Sequence, residues 1–208
     1  MAEPKQERAV RTRAQIIEAA AEVFDESGFH GASISRIMKR AQVTAGSMYF
    51  HFASKEALAQ AVMLGQGSGL ELPEAEPGLQ QLIDITLYLA NQLQHNVLLR
   101  AGVRLAVEQG EFGMRDDAPY QLWVERFRQE LSAARESGDL LPEVEELTLA
   151  QVLVGAYSGT QLFSQIATGR ADLPERVEAM WRYLLPGVAL PAARERLCFD
   201  AGRCRSLA

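Results

Sequence analysis

The chain has 208 residues, 48% of them hydrophobic and 23% charged, with a formal net charge of −6. That balance excludes the disordered and collagen-like classes, and the length supports a sizeable buried core without disulfide or metal staples. A uniformly acidic chain would repel nucleic acid, but residues 1–60 hold eight Lys/Arg against seven Asp/Glu, leaving −7 for the remainder. The result is a locally basic head on an acidic body.

In chain order, Met1 to Arg13 is charged, with no apolar signal-like core, and no run approaches the ~18 apolar residues of a membrane span. A cytoplasmic chain is expected. From about Glu7 to Ser27, Ile16, Ile17, Ala20, Val23 and Phe24 recur at the spacing of an amphipathic helix, and Gly28 is placed to end it. Ser33 is a suitable N-cap for a short second helix burying Ile34, Ile37 and Met38 and running out near Ala41. After the turn Gln42 to Ala45 comes a third, aromatic helix, Gly46 to Phe52, capped by Thr44 and pinned by Val43. Two short helices joined so tightly have the helix-turn-helix layout, although helical hairpins are common and the side chains must decide. Phe50 and Phe52 are expected in the core.

Ser54 caps a fourth helix to about Gln66, which reads as a connector. The glycines 65, 67 and 69 and the acidic, proline-bearing stretch to Gly78 then mark a boundary. Beyond it, helices are expected near 79–94, 97–108, 119–137, 146–168 and 173–186, broken at Asn96, Gly110/Gly113/Pro119, Gly138/Pro142 and Gly169/Pro174. No segment shows β alternation. The expected fold is all-α: a three-helix helix-turn-helix domain at 1–54, a helical ligand-binding and dimerisation bundle at 55–191 with helix 55–66 as connector, and a partly loose tail at 192–208.

Catalytic chemistry finds no footing. His30, His51 and His95 are scattered, and no phosphate loop, paired acidic site or Ser/His/Asp set emerges. Cys198 and Cys204 have no histidine or third cysteine nearby to complete a zinc set. The chain is therefore expected to be no enzyme, with neither cofactor nor metal. A helical carrier of hydrophobic ligands would account for the bundle but not for the head.

The run Thr44-Ala-Gly-Ser-Met-Tyr-Phe-His-Phe-Ala-Ser-Lys-Glu-Ala-Leu58 resembles the reading head of the TetR family, whose signature is a Gly, Tyr-x-His-Phe and x-x-Lys-x-x-Leu at this spacing. Arg11-Thr12-Arg13, Ile16-Ile17, Ala19-Ala20, Phe24, Gly28, Ser33-Ile34 and Ile37 fit the same pattern. Further on, Arg100-Ala-Gly-Val-Arg-Leu105, Trp123, Gly138-Asp-Leu-Leu-Pro142, Gly159-Thr-Gln161 and Met180-Trp-Arg-Tyr-Leu-Leu-Pro186 resemble the γ-butyrolactone autoregulator receptors of antibiotic-producing bacteria. Within that branch true receptors tend to be acidic and pseudo-receptors, which answer to antibiotics or other signals, tend to be basic. The sequence pI near 5.2 favours a true receptor.

The resemblance implies a dimeric repressor of antibiotic genes that holds a palindromic double-stranded operator and answers to a butyrolactone or butenolide. Tyr49, His51 and Lys55 are then phosphate contacts, which set register without reading sequence. Base reading falls to Thr44, Ala45, Gly46 and Ser47 at the start of the third helix. Ala45 departs from the family, whose members commonly carry Lys there. Arg11, Arg13, Ser33, Ser35 and Arg36 are candidates for backbone contacts or for solvated surface. For the effector, Trp123 corresponds to a pocket tryptophan and Gln66 and Thr160 to polar pocket positions, with Tyr157 and Phe163 completing the wall. The last two helices, 147–168 and 173–185, are expected to pair with their copies as a four-helix interface.

Overall fold

Helical spacing and capped turns shape nearly all of residues 5–207, the residues that the computed structural model describes. They form two units: one runs to Gly69 and takes up Asn96–Pro119, the other comprises Leu70–His95 and the chain from Tyr120 onward.

The first unit contains α1 (Lys5–Gly31), α2 (Ile34–Ala41), α3 (Ala45–His51), α4 (Lys55–Gly65) and α6 (Val97–Glu108), the last followed by a 3-10 turn, Gln109–Phe112. Each short helix starts on a hydroxyl cap. Ser33, Thr44 and Ser54 accept the backbone N–H of Arg36, Ser47 and Ala57 respectively. Each such cap stabilises its helix by about 1 kcal/mol. The regular run of α1 ends at Gly28, with φ 66 and ψ −177, where the sequence places its end, and one further turn past this kink carries the chain to Gly31. Ile16, Ala20, Val23, Phe24, Ile37, Met48, Leu58 and Val62 are buried and form the core of this unit.

Gly102 lets α6 approach α4 closely: a Cβ there would lie 2.5 Å from the Gln66 Cβ and 3.2 Å from the Val62 carbonyl oxygen. Two arginines one turn apart on α6 tie it to α1. Arg100 pairs with Asp25 (2.7 Å), and Arg104 donates to the Asp25 carbonyl (2.8 Å) while pairing with Glu108 (2.7 Å). Glu108 in turn accepts the Phe29 N–H at 3.0 Å.

The second unit is built around α5 (Leu79–His95), flanked by α7 (Ala118–Glu136), α8 (Glu146–Thr168) and α9 (Leu173–Leu184). Residues 79–90 of α5, except Gln80, are buried on every side, as expected of a central helix. Trp181 of α9 is wholly buried and donates its indole N–H to Thr86 of α5 at 2.8 Å. Among the described residues there is no strand, only an isolated antiparallel bridge between Leu140 and Ala189.

The described part of the tail, expected to be partly loose, packs on α5. After α10 (Pro191–Arg194) it crosses α5: Gln80 bonds both the N–H (2.8 Å) and the carbonyl (2.9 Å) of Cys198. Arg203 makes two bonds (2.7 and 2.8 Å) to the buried carboxylate of Asp84. Cys204 is buried, its thiol donating to the Leu87 carbonyl at 3.0 Å. The Gln80 amide, the Asp84 carboxylate and the Leu87 carbonyl of α5, rather than an apolar stripe in the tail, hold the segment down. No helix among the described residues is long and apolar enough to cross a membrane.

Candidate DNA interface and sensor residues

The turn between α2 and α3 depends on Gln42, which takes a left-handed conformation (φ 52) while Val43 N–H returns to the Met38 carbonyl at 3.1 Å. A non-glycine residue there costs about 1 kcal/mol, offset by the burial of Met48 and Ile37 on either side of the turn. Gln15 of α1 caps the end of α2, its amide donating to the Ala41 carbonyl at 3.0 Å. These contacts fix the angle at which α3 leaves the turn.

At the start of α3, Thr44, Ala45 and Gly46 are exposed and Ser47 is half-buried, so small side chains crown an open helix end. Tyr49 is 57% exposed on the same short helix. Phe50 is not a core residue: it is 78% exposed, with His51 edge-on at 5.0 Å. Met48 within this seven-residue helix and Phe52 just after it face inward, and Phe50 falls opposite them. The guanidinium of Arg13 lies 5.1 Å from the centre of the Phe52 ring, which places Arg13 beside α3.

Three other expected backbone contacts have partners within the unit. Ser33 caps α2 and lies 3.2 Å from the Ser35 hydroxyl. Arg36 pairs with Glu26 and donates to the Ser27 hydroxyl at 3.3 Å. Glu26 also takes Arg40, whose guanidinium, followed by that of Arg36, holds its carboxyl below the usual range. Arg11 is exposed on α1.

Lys55, expected at the phosphate backbone, has partners inside the unit. Its ammonium donates to the carbonyls of Phe29 (2.9 Å) and Ala32 (3.1 Å) and lies 4.1 Å from the centre of the Phe29 ring. Phe29 stacks on Phe112 at 3.8 Å. The lysine thus adds a donor to two carbonyls where α1 gives way to α2, of which that of Phe29 also accepts the Ala32 N–H at 3.2 Å.

The sensor candidates fall in different places. Gln66 is buried in the first unit at the α4/α6 crossing beside Gly102. Trp123 is half-buried on α7, 6.3 Å from the Phe127 ring. Tyr157 on α8 is buried, its hydroxyl has no hydrogen-bond partner among the described residues, and burial pushes its pKa well up. Thr160 is half-buried and Phe163 exposed on α8. With Ala156, Arg176, Ala179, Met180, Tyr183 and Leu184 they line an open groove of about 360 Å³ on the outer face of α8 and α9. Phe163 is 60% exposed, with the Arg176 guanidinium 4.2 Å from its ring centre. The inward positions of that stretch are instead Gln161 and Ser164. Gln161 accepts two bonds from Arg170 (3.3 and 3.1 Å).

The α8–α9 corner is held by Asp172, which accepts the hydroxyls of Ser164 (2.5 Å) and Thr168 (2.7 Å) and pairs with Arg176 (2.7 Å). Arg176 first, then the two hydroxyls, keep its carboxyl well below the ordinary carboxylate range. No group of His, Cys, Asp and Glu among the described residues could hold a metal ion.

A helix-turn-helix head with an open reading end, followed by a separate helical unit with a buried core and an apolar outer face, defines a one-component transcriptional regulator. Residues 16–62 match the family model of bacterial regulatory proteins of the tetR family, and residues 76–190 match that of the tetracyclin repressor-like C-terminal domain. TylP, a TetR regulator from Streptomyces fradiae, is 45% identical, with a TM-score of 0.86 over 96% of this chain and 97% of its own. The A-factor receptor protein of Streptomyces griseus is 43% identical over 90% of this chain and 67% of its own length. A solved γ-butyrolactone receptor is 30% identical, with a TM-score of 0.69 over 97% of this chain and 100% of its own. The chain belongs to the TetR family of bacterial regulators.

Proposed function

We propose that the protein is a ligand-responsive repressor that binds a palindromic operator as a homodimer, is released by a small γ-butyrolactone or butenolide, and so controls antibiotic genes in the cytoplasm. The carrying observation is the close likeness, over almost the whole chain, to an A-factor receptor protein and to TylP, reaching a sensor region where members of such families usually diverge. A solved γ-butyrolactone receptor of the same fold supports the ligand class.

In this reading Thr44, Ala45, Gly46 and Ser47 meet base edges, and Tyr49, His51, Arg11 and Arg13 meet phosphates. The outer face of α8 and α9 supplies the dimer interface. Val152 (52% exposed), Phe163 (60%), Ile166 (78%) and Tyr183 (83%) form more apolar surface than a monomer normally leaves open. Trp123 provides an apolar wall for the lactone and Tyr157 a buried hydroxyl able to donate to it.

A mobility-shift titration on the duplex upstream of the protein's own gene, with and without a panel of butyrolactones and butenolides, tests the reading. Release by one compound supports it. Firm DNA binding that ignores the whole panel points instead to a pseudo-receptor with another signal, and failure to hold the duplex removes the repressor.

A further inference from the structure

The start of α5 meets α7 in a buried polar joint within the second unit. Glu130, only 2% exposed, accepts the Gly78 N–H at 3.0 Å and pairs at 2.7 Å with Arg126 one turn earlier on α7. Gln81, 3% exposed and one turn into α5 from Gly78, donates its amide N–H to the Pro73 carbonyl. Two polar atoms at this joint have no hydrogen-bond partner among the described residues: the Gln81 Oε1 acceptor and the Arg126 Nε–H donor. An unpaired buried polar atom costs about 1–3 kcal/mol, so a joint that leaves one acceptor and one donor open is a poor purely structural solution. The two fit a ligand that brings one of each.

Trp123 precedes Arg126 by three residues and Glu130 by seven on α7, so the three share one face of that helix. We infer that this joint is the polar end of the effector site: Gln81 Oε1 accepts a hydroxyl of the effector, and Arg126 Nε–H donates to its carbonyl oxygen. The chemistry selects a small, mostly apolar lactone bearing a free hydroxyl. The inference rests on the lactone-receptor reading and adds to it the groups that discriminate among lactones.

The test uses the full-length protein on a fluorescent operator duplex, released by a hydroxyalkyl butyrolactone or by its deoxy analogue. Each dose is normalised to the variant's own DNA affinity. Wild type is expected to require about tenfold less of the hydroxylated compound, the worth of one hydrogen bond of ~1.4 kcal/mol, whereas Gln81→Met responds to both at similar doses. A Gln81→Met protein that keeps the tenfold preference overturns the assignment and leaves the receptor reading intact. Wild type that responds to neither lactone overturns both. Arg126→Lys keeps the charge beside Glu130 but removes the Nε–H, and it reads the carbonyl half even where Gln81→Met does not fold. It should raise the dose of both lactones about tenfold, and an unchanged dose overturns that half.

Discussion

Gly102→Ala tests whether the head depends on the closeness of α4 and α6. The added carbon would sit 2.5 Å from the Gln66 Cβ and 3.2 Å from the Val62 carbonyl oxygen, against the 3.5–4.0 Å at which carbon atoms rest. Both neighbours are anchored close to backbone, so no flexible tip can swing aside and the helices must separate. Overpacking of this kind costs about 1–3 kcal/mol, offset by roughly 1 kcal/mol of helix propensity gained when alanine replaces glycine. A net loss of up to about 2 kcal/mol is expected, or several degrees in Tm. The control is Gly110→Ala, where an added Cβ meets nothing within 4 Å. Calorimetry of both variants decides the matter. A Gly102→Ala protein as stable as the control would refute the reasoning, because the crossing would then tolerate an extra carbon.

Lys55→Met should lower stability by about 1–3 kcal/mol, since the Ala32 carbonyl loses the ammonium and the Phe29 carbonyl keeps only the Ala32 N–H, while leaving the slope of DNA affinity against salt nearly unchanged. A slope reduced by about one unit with stability intact would return Lys55 to the phosphate backbone. Phe163→Asp together with Ile166→Asp should convert the dimer to monomer in sedimentation and weaken operator binding at least a hundredfold, and a persisting dimer would move the interface elsewhere. The depressed carboxyl of Asp172 contributes stability that is fully present above its ordinary pKa of 3.8 and is lost as pH falls toward its lower folded value. Thermal midpoints should therefore be flat from neutral to about pH 5 and fall below pH 4 more steeply in wild type than in Asp172→Asn; parallel curves would contradict this.

The helices were legible because their signals are local. The 3.6-residue apolar spacing and the hydroxyl caps Ser33, Thr44 and Ser54 act within one turn of themselves, and the structure places all three caps as read. What the sequence concealed depends on distant partners. Asp25 and Arg100 are 75 residues apart, and neither carries a mark of the other. The tail reads as loose because Gln80, Asp84 and Leu87, which hold it, lie more than a hundred residues earlier. Phe50 reads as core because a helix of two turns has too few positions for aromatic content to show which side faces in. Thr160 and Phe163 lie on a helix with one apolar side turned to the core and another turned outward, and periodicity alone cannot tell an interior wall from an exposed apolar face.

The most direct test of the central account is fluorescence anisotropy of a labelled operator duplex during lactone titration, for wild type and Trp123→Ala. The account predicts that lactone lowers the anisotropy of the wild-type complex to that of free duplex, while Trp123→Ala binds the duplex as tightly and needs at least tenfold more lactone for release. Equal lactone doses for the two proteins, or a wild-type complex that no lactone dissociates, would contradict it.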